Sequence, residues 1–407
     1  MKNDYIISKI EDKGITAAKG YVTAGMSCGI RNGSKDLTVI YSEHDAVAAG
    51  VFTKNIVQAA PVHLCRAHLL NPIRAVVVNS GNANACTGEQ GRQDTVLMAE
   101  KTAASFGVKS SQVMVCSTGV IGEQLPMDKI VTGIEKIFGL LTRADSDDLD
   151  AASAIMTTDT IVKRSACRVV LPGGGEFMIG GMAKGSGMIC PNMATMLAFL
   201  TTDARIEHTL LQEIFTVAVD ASFNAITVDG DTSTNDTALL LANGASEIEI
   251  DTESAVLTYF KEALNRVCLD LALQIVGDGE GITKLLKLNI SGAMDAKGAR
   301  IMARSILNSP LVKTAFYGED ANWGRIIAAL GYAGVSFDPE KVDIFIGPYQ
   351  VARNGGAVPF SESKMKLYLS GHDLDILVNL NQGPAEITAW GTDLSHEYIN
   401  INSNYRT

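Results

Sequence analysis

Thr195 places the single hydroxyl of the apolar run MATMLAFL (residues 193–200), at the end of the stretch KGSGMICPNMATMLAFL. A lone threonine in such a run is most often a strand residue whose methyl packs against its neighbours. To attack a carbonyl instead, its hydroxyl needs a base to take the proton. One solution is the threonine's own α-amino group, set free by cutting the preceding peptide bond. An α-amine has a pKa of about 7.7–8.0, so much of it is unprotonated near neutrality. Ala194–Thr195 suits such a cut, because the small alanine leaves its carbonyl open to the neighbouring hydroxyl. No histidine is required, which fits a chain with six histidines and no H-E-x-x-H pair.

Other motifs invite chemistry and fail on spacing. GMSCG centres Ser27 in a G-x-S-x-G pattern, but IRNGSKD follows it, a turn rather than the helix a nucleophile elbow requires. The glycine-dense LPGGGEFMIGGMAKGSGM reads as a loop able to approach a ligand, yet Lys184 is followed by Gly185, so the phosphate-loop pattern breaks. DGDTSTND (229–236) begins like a calcium loop, but Thr234 stands where glycine is needed and Leu240 where the bidentate glutamate belongs. It remains a polar segment between apolar runs, either a solvated turn or a site-lining loop. His63 and His68 are five apart, wrong for one helical face, and no zinc site is expected.

The 407 residues suffice for two or more subdomains, and 46% hydrophobic content can fill their cores. A net charge of −11, from 34 basic and 45 acidic residues, argues against nucleic acid or an anionic membrane and for a small-molecule substrate. The N-terminal twenty residues carry charges throughout and no apolar core of a signal peptide. No apolar run reaches the length of a membrane span. Seven scattered cysteines without C-x-x-C spacing fit a reducing compartment, so a cytoplasmic location is expected.

Helical periodicity marks 94–107, with Asp94 as an acidic cap and Gly107 as the stop, then DKIVTGIEKIFGLL, HTLLQEIFTVAVDASF and SAVLTYFKEALNRVCLDLALQIV. Short β-branched runs at 75–79, 112–116, 193–200, 247–250 and 343–347 read as strands. The last eighty residues, with KMKLYLSG, LDILVNLN and EITAWG, read as mostly strand, and YININ alternates in strand fashion. The mixture predicts an α/β or α+β fold.

The chain resembles the ornithine acetyltransferase (glutamate N-acetyltransferase) family of arginine biosynthesis. Besides the Thr195 motif, AGVFTKNIVQAAPV, VVVNSGNANACTG, CSTGVIGEQLP, MTTDT, TVDGDTSTNDT, GDGEGITK, FYGEDANWGRIIAALGYAG and YININSNYRT follow in the family's order. The resemblance implies a layered α-β-β-α core of the N-terminal-nucleophile kind with a smaller C-terminal α/β region. It implies self-cleavage into an α chain, residues 1–194, and a β chain, residues 195–407, assembled as an α2β2 heterotetramer. Thr195 would carry the acetyl group from N-acetylornithine to glutamate, with Thr118 and Gly119 holding the oxyanion. Thr158, Lys184, Glu280, Asn402 and Thr407 would bind substrate. No cofactor or metal is implied, and acetyl-CoA is a candidate co-substrate. The nearest alternative is a self-processing aminopeptidase or amidohydrolase of similar fold. A non-catalytic binding protein would instead stay as one intact 43.2 kDa polypeptide.

Overall fold

The computed structural model describes residues 5–190 and 196–404. Ala194, Thr195 and Thr407, and with them the boundary between the two expected chains, lie outside the described residues.

The strand Leu37–Phe52 organises the larger part of the molecule. Its first half pairs with Tyr21–Met26 and with Ile73–Asn82, whose other neighbour is Val113–Val120. Its second half pairs with Thr237–Ala242, and the sheet continues through Leu197–Thr202, Glu176–Lys184, Lys163–Val170 and Ile6–Lys9. A register shift between Tyr41 and Ala46 marks the change of partner. Bulges of this kind bend and twist a strand, and here the sheet folds back so that its two halves face each other.

Alternate residues of each strand point to opposite faces, and the packing follows that rule. Ile40, Val76, Val78 and Met114 of one half meet Met182, Leu197, Phe199, Leu239 and Leu241 of the other. On one outer face Val39, Ala75, Val77, Val113 and Val115 pack under the helices Gly88–Phe106 and Met127–Ile137. On the opposite face Val169, Ile179, Ala198, Leu200 and Leu240 pack under His208–Ala221 and Val256–Gly277. The order is therefore helix, sheet, sheet, helix, the layered α-β-β-α core expected. Burial on both faces explains why AVVVN and MLAFL are continuous apolar runs without polar alternation.

A second core belongs to residues beyond 284. A six-stranded sheet centred on Leu285–Ala293 and Asp373–Asn379 is covered by Ala296–Leu307, Pro310–Tyr317, Trp323–Gly331 and Glu362–Leu369. Two sequence readings differ from the structure in this half, and a third outside it. KMKLYLSG lies in the helix Glu362–Leu369: Met365 and Leu369, four apart, are buried while Leu367 is exposed, so the helical pair outweighs the apparent alternation. The YININ segment is in the helix His396–Asn404, which puts Tyr398 and Asn402 on one face. EIEI supplies only the two-residue strand Glu249–Ile250.

Two more concern the larger core. The helix expected at 94 starts six residues earlier, at Gly88, and Asp94 is buried within it rather than capping it; Gly107 does end it, in the left-handed conformation. The glycine-dense stretch is not one loop either. Gly180 and Gly181 stand inside the strand Glu176–Lys184, and a Cβ on Gly180 would lie 1.9 Å from the Gly14 carbonyl oxygen. The glycine there admits a neighbouring backbone. Gly180→Ala should lower stability by about 1–3 kcal/mol or more through forced backbone displacement, seen as a lower urea midpoint at unchanged slope.

Candidate functional site

Strand register brings the site's ends together. Lys184, the last residue of its strand, pairs with Leu197, and Leu197 pairs with Thr237, so the three form one row across adjacent strands. Thr118 and Gly119 lie near the end of Val113–Val120, opposite Ser80 and Gly81. Asn235, just before Thr237–Ala242, donates from Nδ2 to the carbonyls of Ala83 (2.6 Å) and Ser117 (2.8 Å), tying the two halves of the folded sheet at this point.

A cavity of about 190 Å³ opens beside these ends. Gly119, Thr158, Lys184, Glu280 and Asn402, all selected from the sequence, line it. Met188, Asp229, Asp231 and Tyr398 complete much of its wall, so the polar segment 229–236 is site-lining rather than a plain turn. Thr118 stands one contact behind.

Lys184 is 3% exposed, which excludes a solvated surface lysine. Its Nζ donates to Thr157 Oγ1 at 2.6 Å and to Thr118 Oγ1 at 3.4 Å, and it makes no direct ion pair among the described residues. One of its three donors is left for a ligand. Burial lowers its pKa, opposed by the Asp159 charge. Because Thr118 Oγ1 accepts from Lys184, its own hydrogen is free to donate, and no described residue accepts it. Gly119 has φ +132°, and a Cβ there would sit 2.3 Å from the carbonyl carbon of Gly81. Only glycine brings this backbone so close to its neighbouring strand.

Glu280, also buried, accepts from Asn402 Nδ2 at 2.7 Å, which fixes the C-terminal helix over the cavity. Asp229 accepts from the backbone nitrogens of Met188 (2.6 Å) and Ile189 (2.9 Å) and from the Tyr398 hydroxyl (3.3 Å). Burial pushes its carboxyl up to about 6 against those donors.

The sequence reading missed the support beneath the cavity. Lys163 is fully buried and donates to Asp159 Oδ1 (2.7 Å) and Asp278 Oδ2 (2.6 Å). Asp159 also accepts from Gly185 N and Thr157 N, and Asp278 from Thr160 N. Burial would raise the Asp159 carboxyl, but Lys184 and Lys163 outweigh it and hold it at about 2. Nothing in the chemistry of KRSACRVV marks Lys163; only its four-residue spacing from Asp159 hinted at a pair.

Residues 22–407 match the ArgJ family. The chain belongs to the ArgJ family. It is 48% identical over 399 residues to the arginine biosynthesis bifunctional protein ArgJ of Symbiobacterium thermophilum, covering 97% of this chain and 98% of that protein. The corresponding Bacillus subtilis protein is 46% identical over 410 residues, covering 100% and 99%. The crystal structure of the Bacillus halodurans ArgJ protein matches with 45% identity and a TM-score of 0.51, across 52% of this chain and 100% of that one. The chain is thus an acetyltransferase of arginine biosynthesis, as its motifs imply.

Two outcomes test the site's construction. Lys163→Met should cost about 3–5 kcal/mol in urea unfolding, because it leaves two carboxylates buried without their cation. Asp229 is raised, so its charged form is present above about pH 6 and lost below it. The fall of kcat/KM towards low pH should steepen as pH drops through about 6, and Asp229→Asn should remove that steeper part of the profile.

Proposed function

We propose that the chain cuts itself between Ala194 and Thr195 and then transfers acetyl groups from N-acetylornithine to glutamate by way of an acetyl-Thr195 ester. The observation that carries this reading is the cavity itself, where a buried cation and a buried anion, Lys184 and Glu280, stand near the Thr118–Gly119 pair.

In this reading the α-amine of Thr195 takes the hydroxyl proton as Oγ attacks the acetyl carbonyl. Negative charge gathers on the former carbonyl oxygen, where the Thr118 hydroxyl and the Gly119 N–H are the donors. Preorganised donors of this sort are worth about 2.7–4 kcal/mol each when removed singly. The tetrahedral species collapses, the proton passes to the departing amine, and ornithine leaves. The amine of glutamate then attacks the acetyl ester, giving N-acetylglutamate and free Thr195. Lys184 suits the carboxylate of either amino acid. Glu280, oriented by Asn402, suits the ammonium, with Thr158 and Thr407 as further partners. We assign acetyl-CoA as a second acetyl donor, and glutamate with acetyl-CoA alone tests that part.

The reading includes an α2β2 assembly of the two chains in the cytoplasm. None of the described helices is long and apolar enough to cross a membrane. Support for the cut comes from the Bacillus halodurans structure, in which a whole chain corresponds to 52% of this one. Residues 195–407 make up a similar share.

Intact-mass analysis should find two chains, the second beginning Thr-Met-Leu-Ala-Phe, and Thr195→Ala should stay uncut and inactive. Cleavage of Thr195→Ala at this bond would remove the hydroxyl from the mechanism. Thr118→Ala should lower kcat by roughly 10²-fold with a smaller change in KM. Release of free acetate in place of N-acetylglutamate would favour a hydrolase.

A further inference from the structure

Self-cleavage poses a problem that turnover does not. Before the cut the nitrogen of Thr195 is an amide, so it cannot serve as the base that activates its own hydroxyl. An amide nitrogen is also a poor leaving group unless a proton reaches it as the bond breaks. The precursor needs a proton donor and acceptor that the mature enzyme can do without.

Asp236 is a carboxyl held by the residue that follows Thr195. Its Oδ1 accepts from the backbone nitrogen of Met196 at 3.0 Å, and Met196 is joined directly to Thr195. The parallel register that pairs Leu197 with Thr237 sets Met196 beside Asp236, and Thr237 N returns a bond to the Met196 carbonyl at 3.2 Å. The Asp236 side chain is fully buried, and its second oxygen, Oδ2, has no hydrogen-bond partner among the described residues. A buried carboxyl oxygen without a partner is costly and serves no purpose in holding the strands, since Oδ1 already does so. Its backbone is independently anchored, the Asp236 carbonyl accepting from Thr53 N at 2.9 Å.

We propose that Asp236 is the proton shuttle of self-cleavage, its carboxyl giving a proton to the Thr195 nitrogen and receiving the one that leaves Thr195 Oγ. This rests on the reading of a cut between Ala194 and Thr195. The Oγ–C bond to the Ala194 carbonyl forms, the C–N bond breaks, and the nitrogen becomes a free amine while the carboxyl returns to its starting state. Water then hydrolyses the Ala194 ester, freeing the alanine carboxylate and the Thr195 hydroxyl. Burial favours the protonated carboxyl that the first step requires, against the pull of the Met196 N–H and the Lys184 charge.

The test follows cleavage of the full-length chain after synthesis in a cell-free system, by intact mass, with and without hydroxylamine. Asp236→Asn, which keeps shape and loses the proton, should cleave at least about 10²-fold more slowly than wild type while keeping its cooperative thermal transition. Asp236→Glu should cleave. Hydroxylamine, which splits esters, should not rescue Asp236→Asn, because no ester forms. Cleavage of Asp236→Asn within about threefold of wild type, or its rescue by hydroxylamine, overturns the proposal. If Asp236→Asn does not fold, a folded but uncut Asp236→Glu overturns it. Wild type run alongside separates the two ideas: an uncut wild-type chain defeats self-cleavage itself, whereas a cut wild type with an equally cut Asp236→Asn defeats only the shuttle.

Discussion

One buried ammonium, that of Lys163, holds the site together. Its donors are used by Asp159, Asp278 and the Ile161 carbonyl. Through these two carboxylates it fixes Gly185, the residue after Lys184, and the backbone of 157–161 that presents Thr158. It also fixes the turn that leads from the Val256–Gly277 helix to Glu280. Desolvating three charges makes such a cluster a poor source of net stability. Its effect is positional: segments more than a hundred residues apart in sequence share one cation, so none can shift without breaking a charged bond in a dry environment.

A second set of bonds joins the C-terminal region to this frame. Lys313 Nζ donates to the carbonyls of Val228 (2.7 Å) and Thr392 (2.6 Å), and burial lowers its pKa to about 8. Thr227 donates to Asn308, and Asn308 to the sulfur of Cys190. Asp393 accepts from the backbone of Thr283 and Lys284, just past Glu280. The smaller region therefore grips both Asp229's loop and Glu280's, and it carries the helix that presents Asn402. The cavity needs both cores, although each packs its own apolar residues.

The layers and several of the cavity-lining residues were legible in the sequence because each left a local trace. Apolar runs at Ala75 and Leu197 announced strands, and motif order carried Gly119, Lys184 and Glu280. Thr195, Ala194 and Thr407 remain readings of the sequence. What could not be read depends on distant partners. YININ alternates as a strand would, yet folds as a helix because Tyr398 and Asn402 find Asp229 and Glu280 only in the tertiary structure. Gly180 looked like loop glycine, since its reason, the backbone of Gly14, lies far away in sequence. Lys163 sits in ordinary strand-like surroundings, and Asp236, although it closes the marked polar segment 229–236, is told apart from the other carboxylates there only by its burial.

The placement of charge also explains how a strongly acidic chain can host acidic substrates. Net charge acts over distances that salt screens within about 8–10 Å, whereas in the proposed reading Lys184, 3% exposed and lining the cavity, would act on a ligand at contact. There its interaction is several times stronger than at the surface. Burial works against the charged form of Lys184, and the Asp159 charge opposes that pull, but from behind and without direct contact, its own oxygens being engaged by Lys163, Gly185 and Thr157. A carboxylate bound directly to Lys184 would have competed with the substrate's. Glu280 is arranged in the same spirit, held by the neutral Asn402 rather than by a cation. Both charges are thus buried, oriented and left with capacity for a zwitterionic ligand, which is a property of their partners as much as of the residues themselves.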